Sequence, residues 1–161
     1  MDKQWDILND LQMPPAENET IKAKILEQVA AWGLEIPDVF YLMLHFGLND
    51  FYSVGETEFW VANEMEAGYC AKLIFVFDGQ TCPYHHHKVK HETFYILKGA
   101  TRMVIDGSEM IKNQGDILVV PTGTKHSFAG AGACLLLEVS MPSSPGDSYF
   151  DNKSIGRDGV L

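Results

Sequence analysis

Short apolar or alternating runs recur between turn signals from Thr57 onward, and this pattern constrains the fold more than any other feature. Such runs predict β-strands, and their close spacing favours a sandwich or barrel over alternating strands and helices. Asp106-Gly107 indicates a hairpin turn, because both residues tolerate a positive φ. The predicted strands are Thr57–Ala62, Tyr69–Phe77, Thr93–Leu97, Thr101–Ile105, Glu109–Lys112, Ile117–Val120, His126–Ala129 and Cys134–Val139. We therefore expect an all-β fold.

Helical signals precede these strands. From Asn18 to Trp32 the apolar residues follow helical spacing, and Gly33 supplies a C-terminal stop. A shorter amphipathic piece from Asp6 to Leu11 ends before Pro14 and Pro15, because proline lacks an amide donor.

Residues 37–48 are apolar on nearly all sides, so periodicity does not separate a buried helix from a strand there. We favour a helix. The chain would then comprise an N-terminal helical extension over residues 1–50, a β-barrel over residues 51–145 and a C-terminal tail over residues 146–161. The segment Pro142–Leu161 is rich in Ser, Gly and Asp, and we expect it to run over the surface.

Composition excludes several classes of partner. The formal net charge of −10 disfavours nucleic acid and anionic membranes, which require clustered Lys and Arg. No signal-like start and no run of eighteen apolar residues is present, so we expect a cytoplasmic protein with no membrane partner. Cys70, Cys82 and Cys134 are odd in number and scattered, which favours structural thiols over disulfides.

Residues 79–99 hold four of the six histidines and a nearby carboxylate. His85 and His87 are two residues apart, so in a strand both rings point to the same face and can reach one metal ion. Glu92 follows five residues later, where another strand can begin. The alternative for this histidine cluster is an exposed group of imidazoles without a function in catalysis.

Two spacings in this region resemble the two motifs of the cupin superfamily, whose fold is a double-stranded β-helix of the jelly-roll class. The first motif corresponds to Gly79, His85, His87, Glu92 and Gly99. The second corresponds to Gly115, Pro121, Gly123 and His126, and it departs from the usual pattern once, with Gly130 in place of asparagine. That asparagine is not normally a ligand.

The resemblance implies a metal site formed by His85, His87, Glu92 and His126. Three imidazoles and one carboxylate leave positions open on a six-coordinate ion, as a catalytic site requires. Such ligands favour Mn, Fe, Co, Ni or Zn over Ca or Mg, although affinity order alone does not identify the metal. We expect manganese. His86 faces away from the ion on strand alternation, and for His86 and His91 we expect surface or supporting roles.

A narrower resemblance connects the chain with the short cupin-type D-lyxose isomerases. The segments that carry it are Cys70–Lys72, Gly79–Pro83, His91–Phe94, Thr124–Phe128, Glu138–Ser140, Tyr149–Asp151 and Ile155–Arg157. It implies interconversion of an aldose and a ketose through a cis-enediolate, whose charge the metal ion stabilises. The expected partner is then a small sugar.

This reaction needs a base, and Glu138 is the first candidate. It lies in the apolar run Cys134–Val139, where a pocket-facing carboxylate with a raised pKa is expected. The alternative is a carboxylate on a solvated outer strand face. Lys72 is the second candidate, because its ammonium could polarise a substrate oxygen or carry a proton, and its alternative is a solvent-facing strand lysine.

Two other functions remain open from the sequence. A site of His and carboxylate ligands can hold Fe(II) and activate dioxygen, which gives a metal-dependent oxygenase. A non-enzymatic sugar-binding or regulatory cupin is the other, although pure binding does not need an open metal. Edge strands and the apolar segment 37–48 favour a homodimer.

Overall fold

The computed structural model describes residues 8–161, which form one α-helix and two antiparallel β-sheets. The helix and strands are α1 Pro15–Ala31, β1 Tyr41–Leu44, β2 Glu56–Glu64, β3 Tyr69–Val76, β4 Thr81–His87, β5 Glu92–Lys98, β6 Ala100–Ile105, β7 Ser108–Asn113, β8 Ile117–Val120, β9 His126–Gly130, β10 Cys134–Ser140 and β11 Ser148–Phe150. The strand orders are β1-β2-β3-β10-β5-β8 and β11-β4-β9-β6-β7. This arrangement confirms the predicted all-β, double-stranded β-helix class, and all eight predicted strands form.

The main core lies between the two sheets. It combines inward residues of the first sheet, such as Ile74 and Leu136, with Met103 and Phe128 of the second. Alternation along each strand produces this burial, because successive side chains point to opposite faces. On β5, for example, Phe94 faces the core and is fully buried, whereas Tyr95 is exposed on the outer face.

Helix α1 covers the outer face of the first sheet. Its buried residues Ile21, Ile25 and Val29 pack in a second cluster with strand residues that include Phe59 and Phe75. The helix begins at Pro15, three residues before the predicted start, because proline at the first helical position needs no amide hydrogen bond. At its end the amide of Gly33 donates to Ala30 O and that of Leu34 donates to Val29 O, with φ of +73° at Gly33.

The helix predicted for residues 37–48 is wrong. Tyr41–Leu44 instead form β1, which pairs with β2 from Tyr41 opposite Phe59 to Leu44 opposite Glu56. Leu42 belongs to the core between the sheets, and Met43 belongs to the cluster under α1. Because both faces of the strand are covered, it is apolar throughout and carries no alternation.

The C-terminal segment is more deeply packed than expected. Strand β11 pairs with β4, and Phe150, Ile155 and Leu161 belong to the core between the sheets. The prediction of a surface tail is therefore wrong for these residues. Both β1 and β11 lie outside residues 51–145, and the division of the chain at those limits stays a prediction.

The N-terminal amphipathic piece is described only in part. Leu8–Leu11 form a 3₁₀ turn, and both leucines are buried in the core between the sheets, whereas Asp6 lies outside the described residues. Within residues 8–161 no helix is long and apolar enough to cross a membrane. All three cysteines are buried and unpaired in disulfides, which agrees with the expected structural thiols.

Two local features shape the strand pair β4 and β9. The pairing shifts between Cys82 and His85, which places one extra residue on β4, so Cys82, His85 and His87 are all buried on the inner side. At the end of β9, a Cβ added to Gly130 would clash with the backbone of Phe77. The close approach explains why glycine replaces asparagine at this position.

Candidate functional site

Three imidazoles converge in the cavity between the sheets. His85 and His87 lie on β4, and His126 opens β9 directly opposite His85. Each ring contributes one nitrogen to a group whose members all lie within 4.8 Å of one another, and all three residues are buried. The strand spacing of two and the pairing of β4 with β9 thus bring together the three histidines that the sequence predicts as ligands.

Backbone carbonyls fix the orientation of each ring. His85 Nδ1 lies 2.8 Å from Pro83 O, His87 Nδ1 lies 2.9 Å from Asp147 O, and His126 Nδ1 lies 3.1 Å from Thr124 O. A carbonyl oxygen only accepts hydrogen bonds, so each Nδ1 must carry a proton and donate it. The Nε2 atoms are then left for another partner, and those of His87 and His126 are buried with no hydrogen-bond partner among residues 8–161.

Glu92 lies beside two of these rings. Its Oε1 is 3.4 Å from His87 Nε2, and its Oε2 is 3.1 Å from His126 Nε2. Although burial opposes ionisation, Lys90 and the two histidines hold the pKa of Glu92 well below its ordinary value. Burial and the neighbouring His126 and His87 lower the pKa of His85 well below its ordinary value. The site therefore combines a carboxylate with a neutral His85 ring.

The arrangement fits a bound metal ion. A carboxylate oxygen and an imidazole lone pair repel each other at about 3 Å unless a positive charge lies between them. Three imidazole nitrogens with one carboxylate form a ligand set that divalent transition metals prefer. The carbonyl partners at Nδ1 supply the outer support that metal-binding histidines usually have.

A second group of charges continues from Glu92 along the inner face of the first sheet. Lys90 Nζ lies 2.5 Å from Glu92 and 3.2 Å from Glu138, while Lys72 Nζ lies 3.7 Å from Glu138 and 3.0 Å from Glu58. We call the alternating series Glu58, Lys72, Glu138, Lys90 and Glu92 the acid–base row. All five side chains are buried and line the same cavity as the imidazoles.

Comparison with known families identifies the fold family. Residues 74–140 match the family model described as a cupin domain. These residues form a cupin domain. The match includes β4, β5, β9 and β10, and therefore all three imidazoles, Glu92 and Glu138.

Solved structures share this cupin fold. An L-ribose isomerase from Acinetobacter sp. DL28, solved as a variant in complex with L-ribose, aligns with a TM-score of 0.75 over 94% of this chain and 98% of that chain, at 15% identity. A sugar phosphate isomerase of the cupin superfamily from Silicibacter pomeroyi aligns with a TM-score of 0.51 over 60% of this chain and 66% of that chain, at 20% identity.

A short segment of the chain is also similar to a dioxygenase. The quercetin 2,3-dioxygenase of Bacillus subtilis strain 168 is 48% identical over 44 residues. That match covers 27% of this chain and 13% of the dioxygenase, so it is confined to a short part of each protein.

The structure places both predicted catalytic residues in the wall of the cavity that contains the three imidazoles. Glu138 is 2% exposed and Lys72 is 4% exposed, which contradicts the alternative of solvent-facing strand residues. The expected raised pKa of Glu138 is wrong. Although burial raises it, Lys72 and Lys90 together hold the pKa of Glu138 below its ordinary value. Glu138 is therefore a carboxylate held between two ammonium groups.

Sequence reasoning missed four acidic or basic residues that line this cavity. They are Glu56, Glu58, Lys90 and Asp147. Alternation could have revealed three of them, because Glu56 and Glu58 share a strand face with Trp60, and Lys90 lies two residues before Glu92. Asp147 has no such signal, since it precedes a strand that the sequence did not predict.

Asp147 connects the C-terminal segment to the metal-binding strand. Its carboxylate accepts hydrogen bonds from the backbone amides of Lys88, Val89 and Lys90 at 2.9 to 3.0 Å, and its carbonyl accepts the bond from His87 Nδ1. One residue thus holds both the loop after β4 and the ring of His87. Lys90 and His87 therefore depend on the same support.

We expect Asp147→Asn to weaken metal binding by about 10- to 100-fold, the usual cost of losing an outer partner of a ligand. The amide can replace one carboxylate oxygen as acceptor, but its NH₂ group would face the amide of Lys90. Isothermal titration with Mn²⁺ measures the change. The matched control is Asp151→Asn, because Asp151 is half exposed and pairs with Lys125 on the surface. Equal affinities in the two variants would contradict the supporting role of Asp147.

Proposed function

We propose that this cupin is a metal-dependent isomerase that interconverts an aldose and a ketose, acting on a small sugar of the D-lyxose type. The observation that carries the proposal is Glu138, an ionised carboxylate held between Lys72 and Lys90 in the cavity that contains the three imidazoles. A proton acceptor, two proton donors and a metal-binding group thus line one cavity, as sugar isomerisation requires.

The similarity in fold to an L-ribose isomerase over 94% of the chain supports a sugar as substrate, as does the resemblance of short segments to D-lyxose isomerases. His85, His87, Glu92 and His126 would hold the metal ion. A bound divalent ion would act as a Lewis acid that stabilises negative charge on the sugar oxygens. Manganese, a homodimer and a cytoplasmic location stay predictions.

In the proposed reaction Glu138 removes the proton from the carbon beside the carbonyl group, which gives the cis-enediolate. The same carboxyl group then returns the proton to the neighbouring carbon, while the hydroxyl proton passes from the second sugar oxygen to the former carbonyl oxygen, so that the aldose becomes the ketose. Although burial opposes it, Glu138 and Glu58 raise the pKa of Lys72, and Glu138 and Glu92 raise that of Lys90. Both side chains are therefore ammonium groups that can donate hydrogen bonds to the two sugar oxygens while charge develops on them.

A metal-dependent oxygenase is the second candidate function. The local similarity to quercetin 2,3-dioxygenase supports it, and a site of three histidines and a glutamate can also hold iron. Oxygen consumption distinguishes the two reactions, because an oxygenase consumes dioxygen and an isomerase does not.

The test combines metal analysis with an anaerobic assay. The protein is loaded separately with Mn²⁺, Co²⁺ and Fe²⁺ and incubated with a panel of aldoses and ketoses that includes D-lyxose. We expect about one metal ion per chain and oxygen-independent conversion of at least one sugar. Turnover only in the presence of oxygen would favour the oxygenase, and sugar binding without turnover would indicate a non-enzymatic sugar-binding cupin.

A further inference from the structure

Glu56 is a buried carboxyl group in the same cavity, outside the acid–base row. It begins β2 and faces inward with Glu58 and Trp60, and its residue is only 5% exposed. Among the described residues its Oε2 has no hydrogen-bond partner, although the atom is fully buried. A buried polar atom without a partner is energetically costly, so such atoms usually have a role.

The charges around Glu56 differ from those around the other carboxylates of the cavity. Lys72 and Lys90 contact Glu58, Glu138 and Glu92, and within residues 8–161 no cation forms an ion pair with Glu56. The neighbouring carboxylate of Glu58 would repel a second negative charge. Burial first and Glu58 second raise the pKa of Glu56 well above its ordinary value, although the nearby Cys82 and Lys72 oppose the shift.

We infer that Glu56 is a neutral carboxylic acid that exchanges a hydrogen bond with one hydroxyl of the sugar bound in the cavity and so selects the sugar that fits. This inference rests on the proposed function, because that function puts a sugar in the cavity. A carboxylic acid both donates and accepts, as a sugar hydroxyl does, so the two can pair in either direction. A sugar that lacks the hydroxyl leaves the buried acid unpaired and binds more weakly.

The protonation state is tested without metal or sugar. Infrared difference spectra between the wild type and Glu56→Gln are recorded at neutral pH. We expect the carbonyl band of a protonated carboxylic acid to disappear in the variant. If the difference shows only carboxylate bands, Glu56 is ionised and the inference is overturned.

The contact with the sugar is tested by calorimetric titration of the metal-loaded protein with D-lyxose and its monodeoxy analogues. We expect Glu56→Leu to bind D-lyxose about tenfold more weakly than the wild type, the cost of one hydrogen bond. We also expect the variant to lose the wild-type preference for D-lyxose over one particular deoxy analogue. Glu56→Gln, whose amide also donates and accepts, should keep that preference. Glu64→Gln, at the exposed end of β2, serves as the control.

The outcomes separate the inference from the function on which it rests. If the wild type binds none of these sugars, the proposed function fails and the sugar contact fails with it. If sugars bind but Glu56→Leu keeps every deoxy preference, only the role of Glu56 is overturned. A lower melting temperature with unchanged preferences would indicate a structural residue and would equally overturn it.

Discussion

His126→Ala is expected to abolish stoichiometric metal binding, with a loss of affinity greater than about 100-fold. Loss of an outer partner alone costs about 10- to 100-fold, and this variant removes one of three converging imidazoles together with the partner of Glu92 Oε2. Metal content after dialysis and isothermal titration with Mn²⁺ measure the effect. The proposed isomerisation should slow in parallel, because the enediolate charge would then be stabilised by the ammonium groups of Lys72 and Lys90 without the metal ion.

Two histidines provide matched controls for this variant. His86 stacks on Tyr149 on the other side of β4, and His91 is exposed just before Glu92. His86→Ala and His91→Ala should therefore retain about one metal ion per chain. Full occupancy in His126→Ala, or loss of the ion in both controls, would show that the ion lies elsewhere.

Glu138→Gln is expected to lower the kcat of the proposed sugar isomerisation by about 10²- to 10⁴-fold, which is the usual contribution of a proton-transferring residue. The amide keeps the shape of the side chain but cannot accept the proton. Metal content should be unchanged, since Lys90 lies between Glu138 and Glu92, the nearest proposed ligand. Steady-state kinetics of the Mn²⁺-loaded variant, with metal analysis of the same sample, measure both quantities.

The free energy of unfolding of Glu138→Gln should fall only moderately. Breaking a buried ion pair costs about 3–5 kcal/mol when one charge is left unpaired, but Lys72 keeps Glu58 and Lys90 keeps Glu92. Glu109→Gln, an exposed strand glutamate, is the control for the same chemical change. A Glu138→Gln enzyme with normal kcat would exclude Glu138 as the base and direct attention to the other groups of the acid–base row.

The parts of this structure that the sequence predicts are those encoded by local spacing. The strands from Thr57 onward follow alternation and turn residues. His85 and His87 share one strand, and His126 follows at a characteristic distance from Gly115 in the second motif. The strands and the shared face of His85 and His87 need no knowledge of long-range contacts, which is why they could be predicted. The convergence of His126 with these two histidines was predicted only through the resemblance to the cupin motifs.

The remaining features depend on contacts between distant residues. Strand β1 carries no alternation because α1 covers one face and the core covers the other. The pKa of Glu138 depends on Lys90, which lies 48 residues away in the chain. Asp147 supports His87 across 60 residues. A pattern within one segment cannot contain such information, so the pKa direction and the supporting residues required the structure.

The extra residue on β4 decides which of three consecutive histidines can form the site. If regular alternation continued from Cys82, Tyr84 and His86 would turn inward, and the cavity would receive one imidazole from this strand. The irregularity between Cys82 and His85 reverses the phase, so His85 and His87 turn inward and His86 packs against Tyr149 outside. The triplet therefore contains imidazoles for either phase of the strand, and the backbone, rather than the residue type, selects two of them.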